Sequence, residues 1–170
     1  RLLRSRGLGV GDSVALVCTN RAEFVEVLAA TLRCGMRLTP VNWHLSADEI
    51  AYIIQDCEAK ALIADARVAT VPEAVARLPV ITTRLAVGGA IEGFESYDDA
   101  IAAFDGSDIA DPSLGNSMMY TSGTTGRPKG VFRPNPAVTP YVTFQMRGYD
   151  PRTSVQMCAG PGYHAAPLVF

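Results

Sequence analysis

Short apolar runs alternate with amphipathic segments along the first third of the chain. The uncharged runs at residues 14–18 and 61–64 have the length and composition of strands that are buried on both faces of a sheet. A further short strand is predicted at residues 38–41, although Pro40 interrupts its hydrogen-bonding potential. These three runs therefore predict three closely spaced strands.

Two amphipathic helices are predicted between these strands. The first begins with Asn20 and Glu23, which resemble a capping box, and Gly35 is placed to end it. The second begins with the capping-box pair Ser46 and Glu49. The apolar positions recur with helical spacing at Phe24, Leu28 and Leu32 in the first helix, and at Ile50, Ile53, Ile54 and Cys57 in the second. Each helix therefore has one face to bury against a sheet.

The order strand, helix, strand, helix, strand predicts βαβ units, and hence an α/β fold with a largely parallel sheet flanked by helices. Further along the chain the pattern predicts helices at residues 68–78 and 96–104 and a strand at residues 80–87. Residues 105–115 are rich in Asp, Gly, Ser and Pro and are predicted to form a loop.

Composition excludes several other classes of protein. The 170 residues are 48% hydrophobic and 19% charged, which favours one globular unit over a disordered tail, a collagen-like rod or a coiled coil. The net charge of −2 gives no electrostatic basis for binding nucleic acid, and we expect no membrane span. Four isolated cysteines and two histidines argue against a zinc site or a disulfide framework, and predict a cytoplasmic location.

A glycine- and hydroxyl-rich segment follows the predicted strand end at residues 118–121. Ser122, Thr124 and Thr125 lie among glycines that allow successive N–H groups to point at one anion, and Lys129 adds a full positive charge. The spacing differs from the Walker A loop and from the dinucleotide-binding fingerprint. Composition alone leaves two alternatives open, a polyphosphate-binding loop and a simple turn between two strands.

The complete string at residues 121–130, Thr-Ser-Gly-Thr-Thr-Gly-Arg-Pro-Lys-Gly, resembles the phosphate loop of the AMP-forming adenylating enzymes. This superfamily includes acyl-CoA synthetases, adenylation domains and luciferases. Residues 11–16, 20–24 and 40–50 resemble the upstream half of these enzymes, and residues 160–167 resemble their next signature element. The resemblance covers essentially the whole chain and is strongest to bacterial acyl-CoA synthetases.

The resemblance implies that residues 1–170 are part of the large N-terminal domain of such an enzyme. Residues 1–110 would form its first α/β portion and residues 111–170 its phosphate-loop portion, with the C-terminal domain absent. An exposed sheet edge in such a fragment predicts self-association, so a homo-oligomer is a possible state.

The resemblance also implies a two-step reaction that uses ATP, Mg²⁺ and coenzyme A. A carboxylic acid, fatty or aryl, would be converted to an acyl-adenylate and then passed to coenzyme A. His164 would be the catalytic residue beside the acid, Thr121 would also serve the metal, and Arg127 is expected to face solvent. The residues implied in holding the phosphates are Thr121, Ser122, Gly123, Thr124, Thr125, Gly126 and Lys129.

Two alternatives to an acyl-CoA synthetase stay open at this stage. The first is an adenylation domain that loads its acid onto a carrier protein. The second is a fragment that binds a nucleotide without catalysis, because the resemblance places further catalytic parts outside this chain. One departure from the family, Phe132 followed by Arg-Pro-Asn-Pro, argues against help from a hydroxyl or a histidine just after the loop.

Overall fold

The computed structural model describes residues 1–79, 81–121, 126–132, 148, 150, 152–155, 157 and 160–165. Its helices are α1 (Leu2–Ser5), α2 (Ala22–Arg33), α3 (Ala47–Asp56), α4 (Val71–Val75) and α5 (Tyr97–Ala102). Its strands are β1 (Ser13–Val17), β2 (Arg37–Pro40), β3 (Ala59–Asp65), β4 (Thr83–Val87), β5 (Glu95–Ser96), β6 (Asn116–Thr121) and β7 (Lys129–Phe132).

The strands form one sheet in the order β5-β4-β3-β1-β2-β6-β7. Neighbouring strands run parallel except β6 and β7, which are antiparallel. Helices α1, α2 and α5 pack on one face of the sheet, and α3 and α4 pack on the other. The α/β fold class and the largely parallel sheet are therefore confirmed.

The central strand β1 shows why the core lies where it does. Val14 and Leu16 belong to the apolar cluster that includes α2, whereas Ala15 and Val17 belong to the cluster that includes α3. All four side chains are completely buried. A strand that is covered on both faces needs apolar residues at every position, which is the uncharged run seen in the sequence.

The two predicted helix starts have different outcomes. The capping box of α3 is confirmed, because Glu49 N–H donates to Ser46 Oγ (3.4 Å) and Ser46 N–H donates to the Glu49 carboxylate (2.9 Å). The capping box of α2 is wrong, because Arg21 occupies the N-cap position and Glu23 pairs with the Arg21 guanidinium (2.6 Å). Asn20 has a different role, described below.

Several predicted boundaries are too wide. The helix predicted at 68–78 is confined to α4, where Pro72 lies in the first turn, and the strand predicted at 80–87 begins only at Thr83; position 80 lies outside the described residues. The helix predicted at 96–104 is α5, with Ser96 as its N-cap. Gly35 ends α2 as predicted and has a φ of 72°. Elements α1, β5 and β7 are short and were not predicted.

The loop at residues 105–115 leads from α5 across to β6. Its aspartates form ion pairs with arginines from the start of the chain and from α2: Arg1 with Asp105 (2.9 Å), Arg4 with Asp111 (2.7 Å) and Arg33 with Asp108. The loop ends at Gly115, whose N–H donates to Leu32 O (2.6 Å). A Cβ at Gly115 would lie 2.3 Å from Met36 O, so only glycine lets the chain enter the sheet here.

The described cysteines are three free, buried thiols, Cys18, Cys34 and Cys57, whereas Cys158 lies outside the described residues. Within the described part of the chain, the helices are too short or too polar to cross a membrane.

A buried carboxylate joins the carboxyl ends of β1 and β3. Asp65 is completely buried and accepts hydrogen bonds from Thr19 Oγ1 (2.6 Å) and from the backbone and guanidinium N–H groups of Arg67 (3.0 and 2.9 Å). Arg21 lies 3.5 Å away on the other side. Burial alone would raise the pKa of Asp65, but these donors outweigh it and hold the pKa well below its usual range.

Replacing Asp65 with Asn is expected to lower the free energy of unfolding at neutral pH by about 2 kcal/mol, because two arginines lose a buried charged acceptor. The loss should shrink as the pH falls below about 4, where the unfolded chain binds a proton that folded Asp65 does not. Urea unfolding of both proteins at neutral and acidic pH measures this. A difference that does not change with pH would contradict it.

Candidate functional site

The predicted phosphate loop connects the two strands of an antiparallel hairpin. Strands β6 and β7 pair with Thr121 opposite Lys129, and Thr121 Oγ1 lies 3.5 Å from the backbone oxygen of Lys129. The two ends of the motif therefore meet across the hairpin, and Lys129 belongs to a strand rather than to a loop. Four of the predicted phosphate-binding residues, Ser122, Gly123, Thr124 and Thr125, lie outside the described residues.

Two glycines of the hairpin lie at special positions. Gly126 has a φ of 97°, in the left-handed region that favours glycine at a turn. A Cβ at Gly130 would lie 2.2 Å from the Met118 methyl group and 3.0 Å from the Tyr120 ring. The side chains of β6 therefore lie across β7 at Gly130, and a larger residue there would require Met118 to move.

A cleft of about 370 Å³ lies beside this hairpin, at the edge of the sheet where β2 and β6 end. The carboxyl ends of parallel strands are where α/β folds bind their ligands. The cleft brings together Thr121, Gly126 and His164 of the predicted site. Lys129 is exposed on β7 and is not among the described residues that line the cleft. The described lining residues are Pro40, Asn42, Leu45, Glu49, Ile53, Tyr120, Thr121, Gly126, Arg127, Pro128, Tyr163 and His164.

Tyr163 and His164 form the wall of the cleft that faces the hairpin. Tyr163 is buried, with 8% of its surface exposed, and its ring centroid lies 4.7 Å from that of His164. His164 is exposed, and its backbone N–H donates to Pro161 O (3.0 Å). The His164 imidazole therefore packs against the buried Tyr163 ring and is accessible to a bound molecule.

Asn20 holds this segment in place, a role that the sequence pattern did not predict. Its Nδ2 donates to Gly160 O (2.9 Å), and its Oδ1 accepts from Gly162 N–H (2.8 Å). Gly162 also lies directly on the ring of Phe24, since a Cβ there would come within 2.9 Å of it. The signal in the sequence was a polar residue just after a buried parallel strand, which could have indicated a residue at the carboxyl edge.

Glu49 contributes the one carboxylate among the described cleft residues. Hydrogen bonds from the Ser46 backbone and hydroxyl groups lower its pKa, so it carries a negative charge at neutral pH. The bond from the Ser46 backbone belongs to the capping box of α3, and the bond from the Ser46 hydroxyl adds to it. The charge of Glu49 is thus committed to starting the helix.

A larger cavity of about 660 Å³ lies on the other face of the sheet, against α1, α2 and α5. Its described lining includes Leu3, Val27, Leu85 and Ile101, and it contains none of the described hairpin residues. The predicted site residues Thr121, Gly126 and His164 line the smaller cleft, so the larger volume of this cavity does not mark it as the functional site.

The chemistry of a magnesium ion fits Thr121. The described residues contain no cluster of three or more His, Cys, Asp or Glu side chains that could hold a metal by themselves. Mg²⁺ keeps several waters and is often bound mainly through substrate phosphates, with one or two protein oxygens. The exposed hydroxyl of Thr121 in the cleft is suited to that kind of site.

The parallel sheet, the glycine-rich hairpin and the cleft at its carboxyl edge describe part of the N-terminal domain of an adenylating enzyme. The chain matches the AMP-binding enzyme family over residues 1–170, and it belongs to that family.

Its relatives include ligases that use different acceptors. The chain is 35% identical over 136 residues to a long-chain-fatty-acid–CoA ligase of Thermus thermophilus, covering 76% of this chain and 24% of the relative. It is 34% identical over 131 residues to the fatty acid–[acyl-carrier-protein] ligase ScoC of Streptomyces coeruleorubidus, with the same coverage of 76% and 24%. The chain thus spans about a quarter of the length of these curated relatives.

The fold also matches a solved structure over nearly the whole chain. A crystal structure from Rhodopseudomonas palustris, assigned to the long-chain-fatty-acid CoA ligases, superimposes with a TM-score of 0.79 at 22% identity. The match covers 98% of this chain and 43% of that one. At this level of identity the match confirms the fold.

Replacing Asn20 with Ala is expected to speed hydrogen exchange of the Gly162 amide by about tenfold, because that amide loses its acceptor. Asn20→Asp keeps the acceptor and loses the donor to Gly160, so its effect should be smaller. Amide exchange measured by NMR checks both variants. Equal protection of Gly162 in Asn20→Ala and wild type would show that the segment is held by other contacts.

Proposed function

We propose that the complete protein is an AMP-forming acid–thiol ligase that activates a carboxylic acid, fatty or aryl, with ATP and Mg²⁺ and transfers the acyl group to coenzyme A. One observation carries this proposal. Thr121 and Gly126, on either side of the loop in the phosphate hairpin (β6, the loop and β7), line the same cleft as Tyr163 and His164. A molecule with a polyphosphate at one end and a carboxylate at the other would meet suitable groups on both sides.

The first step forms a bond between a carboxylate oxygen of the acid and the α-phosphorus of ATP. The bond from that phosphorus to the β-phosphate bridging oxygen breaks, and pyrophosphate leaves with the electron pair. Negative charge on the leaving group is the main obstacle, so donors placed around it accelerate the reaction. The Thr121 hydroxyl and the Lys129 ammonium would supply such donors, and Thr121 would hold a Mg²⁺ ion that, when bound, would neutralise further phosphate charge.

The second step breaks the acyl–phosphate bond of the adenylate. The thiolate sulfur of coenzyme A bonds to the acyl carbon, and AMP leaves. His164 borders the acyl side of the cleft, where its imidazole can orient the acid by a hydrogen bond. The buried Tyr163 lies beside the His164 ring, with the two ring centroids 4.7 Å apart.

A carrier protein is the alternative acceptor. The acyl-carrier-protein ligase of Streptomyces coeruleorubidus shares as much identity with this chain as the CoA ligase of Thermus thermophilus does. Both acceptors offer a thiol, so the adenylation step is common to the two candidates. Product analysis with coenzyme A and with a thiol-bearing carrier protein separates them.

Replacing Lys129 with Ala is expected to slow acid-dependent ATP–pyrophosphate exchange in the complete protein by at least about tenfold, because a charged partner of the phosphates is lost. Lys60→Ala is the matched control. Lys60 is the other lysine of the chain. It lies on β3, away from the cleft, and forms an ion pair with Asp12 (2.6 Å). The rate of ATP–pyrophosphate exchange in Lys60→Ala should equal that of wild type.

Exchange should be measured with a panel of fatty, aryl and amino acids. Exchange that depends on a fatty or aryl acid supports the proposal, whereas exchange that depends only on an amino acid would overturn the assigned substrate class. If no acid supports exchange while pyrophosphate still binds, the chain belongs to a non-catalytic nucleotide-binding protein.

A further inference from the structure

Both ends of the phosphate hairpin contact the same helix, α3. Tyr120 is the penultimate residue of β6, and Arg127 lies two residues before β7. Their partners, Asp56 and Tyr52, are four residues apart on α3 and therefore lie on the same face of the helix. Four side chains from two distant parts of the sequence thus connect the loop to the helix.

The contact at the first end is a hydrogen bond. Tyr120 Oη donates to Asp56 Oδ2 at 2.5 Å, and Tyr52 Oη donates more weakly to Asp56 Oδ1 at 3.4 Å. Burial of the Tyr120 ring and its acceptor Asp56 both raise the pKa of Tyr120, so its hydroxyl keeps the proton that it donates.

The position of Asp56 also suggests a purpose beyond helix stability. It is the last residue of α3, where a negative charge is unfavourable because the helix carbonyls already make that end negative. A carboxylate that the helix disfavours is instead used as the acceptor of two tyrosine hydroxyls.

The contact at the second end is a cation–π interaction. The Arg127 guanidinium carbon lies 5.2 Å from the centroid of the Tyr52 ring, within the range of a favourable contact. The expectation that Arg127 faces solvent is met, since the residue is exposed. Its guanidinium nevertheless covers a ring of α3, and the residue also lines the cleft.

We propose that Tyr52 and Asp56 of α3 are positioning residues that clamp both sides of the hairpin, so that Thr121, Gly126 and Lys129 are pre-arranged for the pyrophosphate portion of ATP. The inference rests on the proposed function. The clamp acts through Tyr120 and Arg127, and it needs no contact of its own with the phosphates. Pre-arranged groups bind a polyphosphate more tightly because less conformational freedom is lost on binding.

The test measures two quantities on each variant, inorganic pyrophosphate affinity by calorimetry and amide hydrogen exchange of residues 120–132. Tyr120→Phe and Asp56→Ala should each weaken pyrophosphate binding about fivefold and speed exchange in the hairpin. Because Asp56→Ala already removes the bond that Tyr120→Phe removes, the double variant should bind pyrophosphate no more weakly than Asp56→Ala alone.

Two further variants test the second end and the specificity of the effect. Arg127→Gln removes the guanidinium from the Tyr52 ring and should weaken binding about threefold. Gln55→Ala is the control on α3, because the Gln55 amide bonds to Arg77 O (3.2 Å) instead of to the hairpin. It should change neither quantity.

Lys129→Ala separates positioning from charge. It should weaken pyrophosphate binding while leaving hairpin exchange unchanged, whereas the clamp variants should change both. If Lys129→Ala weakens binding and the clamp variants do not, the clamp is overturned and the proposed function stands. Faster amide exchange in the clamp variants without weaker pyrophosphate binding also overturns the clamp. If the wild-type protein binds no pyrophosphate, both the clamp and the proposed function are overturned.

Discussion

The pairing of β6 with β2 is the constraint on which the site depends. Two register pairs, Arg37 with Asn116 and Leu38 with Ser117, join the strands in parallel. Since β2 ends at the cleft, this pairing places the hairpin beside the β2–α3 connection. A shift of one residue would turn the side chains of β6 to the opposite face of the sheet. Tyr120 would then point away from α3.

That pairing is reached by a long connection whose ends are held. The loop before β6 is tied by aspartates to arginines of α1 and α2, and exposed ion pairs of this kind contribute little each to stability. Gly115 has the stronger influence, because it lets the backbone approach α2 and Met36 closely enough to enter the sheet. Backbone geometry therefore sets the position of the hairpin, and charge pairs restrict the loop that precedes it.

Polar side chains, one of them buried, connect the elements around the site. Asp65 connects β3 to the β1–α2 corner, Asn20 connects that corner to the segment before His164, and Asp56 connects α3 to Tyr120. Each makes two or more hydrogen bonds, and a satisfied polar network of this kind makes a loop edge rigid. A rigid edge suits a site that must hold charged groups in fixed positions.

Local patterns predicted the parts of the fold that local physics determines. The uncharged run of β1 and the Ser46–Glu49 box of α3 depend on neighbouring residues, and both are present. Asn20 was misassigned because its partners lie about 140 positions away, a separation that sequence spacing cannot reveal. Strand β7 was missed because its short, glycine-containing sequence forms a strand only through pairing with β6.

The candidate site likewise has some residues that local sequence predicted and others that depend on distant contacts. The signature string predicted Thr121 and Gly126, and the element at residues 160–167 predicted His164. The fold brings all three to one cleft, although their roles stay predictions. The string did not indicate that Lys129 would lie on a strand, or that Tyr52 and Asp56 would contact the hairpin. The first depends on the pairing of β7 with β6, and the second depends on the pairing of β6 with β2.

The most direct test of the account is an NMR titration of the ¹⁵N-labelled chain with inorganic pyrophosphate. The account predicts that the amide shifts of Thr121, Gly126, Lys129 and His164 change together and saturate. Shifts confined to Leu3, Val27 and Ile101 around the larger cavity, or no saturable change at the cleft, would contradict it.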